Sequence, residues 1–166
     1  MSYRDAGPDS CAAEKVSGGI GGRQPTIWED AKKAGVAMAS PLFLSVEDVV
    51  EIHADQIQRY GGSLGIRDLE LLHSALGMPE AGVGDQYLHA GLFEMAAAYL
   101  YHIVQNHPFI DGNKRTGTMA AFVFLKLNGF TLEADESAFD TLVLRAAQGQ
   151  VGKDAIADFF RENTKS

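Results

Sequence analysis

The stretch Asn113 to Asn128, NKRTGTMAAFVFLKLN, is apolar on most sides when wound at helical spacing, through Met119, Ala120, Phe122, Val123, Leu125 and Leu127. A helix without one clear polar face has to be surrounded by other elements. The chain is therefore expected to pack around this segment, which Asn128-Gly129 closes. Just upstream, Leu92 to Asn106 places Leu92, Met95, Ala96, Tyr99, Leu100, Ile103 and Val104 on a buried stripe with no internal breaker. The two patterns meet at His107 to Gly117, HPFIDGNKRTG.

The rest of the chain reads as shorter helices. Ser45, with Asp48 three residues on, forms a capping-box pattern, and Val46, Val49, Val50, Ile52 and Ile57 continue it as a helix to about Tyr60. Further helices are expected over about Asp68–Gly77, Ser137–Gln148 and Lys153–Glu162, with Gly149 as a stop. Met78–Gln86 reads as a loop and Phe130–Leu132 as a short extended link. No repeat period is visible, and no pair of strands stands out. The fold class is all-α, six or seven helices around a central helix, with a possible small β-hairpin at the glycine-rich stretch near Gly62.

Residues 1–40 read as a disordered or poorly ordered extension, and residues 41–166 as the folded domain. The first 40 residues hold six glycines and few large apolar side chains. A short helix over 26–37 is the one element expected there, and Met38 is an alternative start. Net charge is -8, and it is unevenly placed: the first 39 residues carry five basic and five acidic side chains, the remainder nine against seventeen. An acidic body argues against nucleic-acid binding through a basic surface. No apolar run approaches the ~20 residues needed to span a membrane. The single Cys11 rules out an internal disulfide framework and fits a reducing cytoplasm.

The segment His107–Gly117 carries the chemistry. Pro108 disfavours a helical His107, so the upstream helix should end there. A new helix should begin near Gly112 with Asp111 as its N-cap. Lys114 and Arg115 then fall in the first turn, where positive charge is unfavourable unless an anion lies in front of the helix. Free N–H groups, a glycine permitting close approach and a Lys-Arg pair describe a phosphate cradle. Asp111 could hold a magnesium ion bridging such phosphates, and His107 is a candidate proton acceptor. Phe109 should point into the core. His53 and His73 lack a carboxylate or histidine partner at metal-binding spacing and are assigned no role.

HPFIDGNKRT resembles the signature of the Fic/Doc superfamily, more closely its Doc (death-on-curing) branch, the toxin half of bacterial toxin–antitoxin pairs. The likeness extends to RYGGSLGIRD at Arg59–Asp68, LFEMAAAYL at Leu92–Leu100, FLKLNG at Phe124–Gly129 and IADFFR at Ile156–Arg161. It implies that His107 is the general base, that Asp111 binds Mg2+, and that Gly112, Asn113, Lys114 and Arg115 hold nucleotide phosphates. It also implies a flap, Gly62, Ser63, Leu64, Gly65 and Ile66, along which a protein target is aligned. A cognate antitoxin is implied as partner. Some Fic relatives carry an inhibitory helix; Ser10–Lys15, SCAAEK, matches its pattern only through Glu14.

The resemblance leaves three functions. A Doc-type kinase would move the γ-phosphoryl group of ATP to a protein hydroxyl, by family analogy on elongation factor Tu, arresting translation. A Fic-type adenylyltransferase would move AMP. A catalytically silent module would only engage the antitoxin, but the intact His107, Asp111 and Lys114 argue against decay. Adenylyl-transferring relatives resemble H-x-F-x-[D/E]-G-N-G-R-x-x-R; here Lys114 replaces the second glycine, and Thr118 stands where the second arginine would be. Those departures favour the kinase. Gly112, alanine in some Doc proteins, keeps adenylyl transfer as the alternative.

Overall fold

The computed structural model describes residues 41–84 and 86–166. The expected extension over 1–40, its helix over 26–37 and the match at Ser10 lie outside the described residues. Among the described residues the chain forms six α-helices: α1 Val46–Tyr60, α2 Leu69–Gly77, α3 Leu92–Asn106, α4 Asn113–Leu127, α5 Glu136–Ala147 and α6 Lys153–Asn163. Four two-residue strands make two small antiparallel pairs. β1 (Gly82–Val83) pairs with β2 (Gln86–Tyr87), and β3 (Thr131–Leu132) with β4 (Thr164–Lys165).

Three of the helix starts follow from side-chain caps. Ser45 accepts the Asp48 N–H at 3.2 Å while Asp48 accepts the Ser45 N–H at 2.9 Å, completing the expected capping box of α1. Asp68 and Asp135 cap α2 and α5 through the N–H groups of Leu71 and Ala138. Gly149, at φ +74°, follows α5 in the left-handed region.

The core lies along α3 and α4. Eleven of the fifteen residues of α4 are buried against eight of fifteen in α3, as an all-round apolar helix requires. α4 packs on α3, α1 and α5, while α3 also packs on α2, α5 and α6, so the centre is shared by the pair. Gly117 lets them approach closely: a Cβ there would meet Val104 Cγ2 at 3.0 Å and the Leu100 carbonyl at 3.2 Å. Asn128 ends α4 and ties in the incoming chain, accepting the Leu42 N–H at 2.9 Å and donating to the Leu42 carbonyl at 3.0 Å. The hairpin lies at β1–β2, away from the glycine-rich stretch, where a single bridge joins Ile66 to Phe109.

α3 and α6 also share a group of bases. Lys153 Nζ donates to His102 Nε2 at 3.2 Å. Burial, Lys153 and His89 together push the His102 imidazole from 6.5 down to about 4. The unfolded chain therefore binds this proton first, so stability present above pH 6.5 is lost as pH falls through the window from 6.5 to about 4. Melting temperature should drop across that window, and His102→Gln should flatten the drop. An equal slope in the variant would remove His102 as its source.

Candidate active site

His107 ends α3 in a left-handed conformation, φ 47° and ψ 54°, and is the one non-glycine residue with positive φ among those described. A left-handed non-glycine residue costs energy, and such strain persists where surrounding contacts over-determine it. The contacts are present. Arg67 donates from Nε to the His107 carbonyl at 2.6 Å and from Nη2 to the Asn106 carbonyl at 2.9 Å. The Pro108 carbonyl accepts the N–H groups of Arg67 and Asp68 at 2.7 and 3.0 Å.

Phe109 is buried as expected and stacks on His53, with ring centroids 3.9 Å apart and planes 8° from parallel. His53 Nε2 donates to the Asp111 carbonyl at 2.8 Å. Burial, first, and the positive charge of Arg115 hold the His53 imidazole below its ordinary value, against the opposing pull of that hydrogen bond and of Asp111. The sequence alone gives His53 no role. Its position next to Ile52 on the apolar stripe of α1 was the only available signal.

Asp111 does not cap α4. The N-cap is Gly112, in the left-handed region at φ 74° with no side-chain cap, so the loop runs one residue further than the sequence suggests. The Asp111 carboxylate instead accepts the Gly112 N–H at 2.8 Å and the Ser63 N–H at 3.2 Å. Those two donors, Gly112 foremost, hold its carboxyl below the usual carboxylate range. The Asn113 side chain is committed to Phe109, accepting its N–H at 2.9 Å and donating to its carbonyl at 3.0 Å. The Asn113 backbone N–H stays available to a ligand.

Thr116 is the first residue of α4 to donate back along the helix, to the Gly112 carbonyl at 2.9 Å. The N–H groups of Asn113, Lys114 and Arg115 are left free by the helix itself. Lys114 is exposed and has no hydrogen-bond or ion-pair partner among the described residues. Arg115 reaches the end of α1, donating to the carbonyls of Gln56 at 3.2 Å and Gly61 at 2.9 Å. A guanidinium has five donors, so several remain.

The flap residues sit against this loop. A Cβ on Gly62, at φ +115°, would meet Asp111 Oδ2 at 2.6 Å and Arg115 Nη2 at 3.2 Å. Gly65 accepts the Ile110 N–H at 3.0 Å, and Ile66 bridges Phe109. Leu64, Ile66 and Ile110 project into solvent, 65%, 39% and 57% exposed. A cleft of about 450 Å³ opens beside the loop, lined by His107, Ile110–Arg115, and Asp140, Val143 and Leu144 of α5.

The profile of the Fic/DOC family matches residues 43–125, which run from before α1 into the last turn of α4 and include the whole of this loop. The chain belongs to the Fic/DOC family. It is 33% identical over 118 residues to the protein kinase Doc of Escherichia phage P1, covering 71% of this chain and 92% of that protein. It is 43% identical over 76 residues to the toxin Doc of Mycolicibacterium smegmatis, covering 46% of this chain and 58% of that one. Its likeness within the Fic/DOC family is thus to Doc toxins. The Fic/DOC match ends at Leu125, short of α5, which contributes the far wall of the cleft.

Proposed function

We propose that the protein is a Doc-type toxin kinase, transferring the γ-phosphoryl group of ATP to a serine or threonine hydroxyl of a protein. One observation carries the reading: the His107 imidazole lines the same cleft as a helix N-terminus without a side-chain cap, bearing a lysine that has no partner among the described residues. His107 accepts the proton of the target hydroxyl as its oxygen attacks phosphorus, and ADP leaves. The N–H groups of residues 113–115, with Lys114, face charge that develops on the transferred oxygens. Charge-assisted contacts of this kind are worth roughly 1.5 to 3 kcal/mol each.

Asp111 fits a magnesium ion shared with phosphates. Each of its oxygens accepts one N–H and keeps a second lone pair. No cluster of three acidic, histidine or cysteine ligands exists among the described residues, and magnesium commonly takes one or two carboxylates with the rest supplied by phosphate and water. Such an ion would neutralise phosphate charge.

The exposed Leu64, Ile66, Ile110 and Leu144 around the cleft suit a protein partner. By family analogy the target is elongation factor Tu and the consequence arrested translation in the cytoplasm. A cognate antitoxin, whose disordered end folds along the toxin, is the second partner.

Adenylyl transfer is the competing reading, supported by Gly112. Against it, Thr118 stands where a second arginine would hold the terminal phosphate, and it is buried at 1% exposure. ATP labelled at the γ or at the α position, incubated with the protein, magnesium and cell extract, separates the two. Label from the γ-phosphate should reach protein hydroxyls in a His107-dependent manner. Label arriving only from the α-phosphate would replace the kinase by the adenylyltransferase.

A further inference from the structure

We propose that Arg67 is a positioning residue for His107, coupling the flap to the general base; its catalytic consequence rests on the phosphoryl-transfer reading above. Arg67 takes three successive carbonyls at the end of α3. Its Nε and Nη2 donate to His107 and Asn106, and its own N–H donates to Pro108. The Asn106 and His107 carbonyls are among those a helix C-terminus leaves without intrahelical partners, and a guanidinium there also meets the negative end of the helix dipole.

The consequence is geometric. His107 must hold φ near 47° for its imidazole to leave α3 at the cleft, and nothing in an unconstrained chain favours that value for histidine. Three other contacts restrain the neighbouring residues: Asn106 Nδ2 donates to the Leu71 carbonyl at 3.1 Å, Asn113 fixes Phe109, and Ile110 donates to Gly65. Arg67 alone, among the described side chains, bonds to His107 itself. It follows the flap residue Ile66 directly, so displacement of the flap moves the clamp.

Arg67 is exposed, so its replacement should leave the core intact. Arg67→Ala and Arg67→Lys can be compared with the wild-type chain by two readouts. The first is transfer of γ-phosphate label to extract protein over a range of ATP concentrations. Arg67→Ala should lower the maximal rate about 100-fold, the scale expected for a misplaced catalytic group, with the apparent KM for ATP unchanged. Lysine should recover part of the rate. The second readout is the intraresidue amide-to-Hα nuclear Overhauser effect of His107, which is strong at positive φ; it should weaken in the alanine variant.

A strong, unchanged effect in Arg67→Ala would overturn the proposal, as would a rate loss that only tracks the unfolded fraction seen by circular dichroism. If the wild-type protein transfers no label at all, the phosphoryl-transfer reading falls, and the Overhauser measurement still decides whether Arg67 sets the His107 backbone.

Discussion

Replacing His107 by alanine should reduce γ-phosphoryl transfer by ~100 to 10,000-fold, the range typical for loss of a general base, while circular dichroism and melting temperature stay close to those of the wild-type chain. The side chain is exposed and points into the cleft, so no core contact is lost. The left-handed backbone adds a complication, because alanine is less at ease there than histidine. His107→Asn controls for it: asparagine adopts this region readily but cannot accept the proton. Both variants should bind nucleotide, since the α4 N-terminus and Lys114 are untouched. Wild-type turnover in either would remove His107 from the chemistry, and loss of nucleotide binding in both would move its role to the phosphates.

Much of the fold was legible because its determinants are local. The Ser45–Asp48 capping box, the break before Pro108 and the Gly149 stop each depend on residues within four positions, and each lies where the sequence places it. The missed features depend on distant partners. His53 and Asp111 are 58 residues apart, and Arg67 and His107 are 40 apart. The pairing of Thr131 with Lys165 is too short to leave an alternating pattern.

The candidate site was read with the same asymmetry. Residue types predicted a phosphate cradle at the start of α4, and the free N–H groups and Lys114 lie there. The division of labour among side chains was less visible. The sequence places Asp111 as the helix cap, but a left-handed Gly112 takes the N-cap position and the carboxylate accepts the Ser63 N–H of the flap. The Asn113 amide matches both backbone groups of Phe109, which leaves its backbone N–H for a phosphate. A motif states which groups are present; which of them remain free depends on how the loop satisfies its own backbone.

That loop is anchored by Phe109, and Phe109→Ala should be the most destabilising of the substitutions considered. The ring is 1% exposed and lies face to face with His53. Truncating a buried phenylalanine removes its transfer free energy and leaves a cavity, costing roughly 3 to 5 kcal/mol. Collapse of the surroundings is restricted here, because Asn113 holds the Phe109 backbone on both sides and His53 is tied to Asp111. The cost should therefore lie towards the upper end. Urea unfolding should show a lower midpoint with an unchanged slope, since the surface exposed on unfolding barely changes. The variant should also lose activity at temperatures where it remains folded, because the cavity opens against the His53 ring that holds the Asp111 carbonyl. A cost below about 1 kcal/mol would mean the site collapses freely, and would take from Phe109 its role as the anchor of the loop that carries His107 and Asp111 to one cleft.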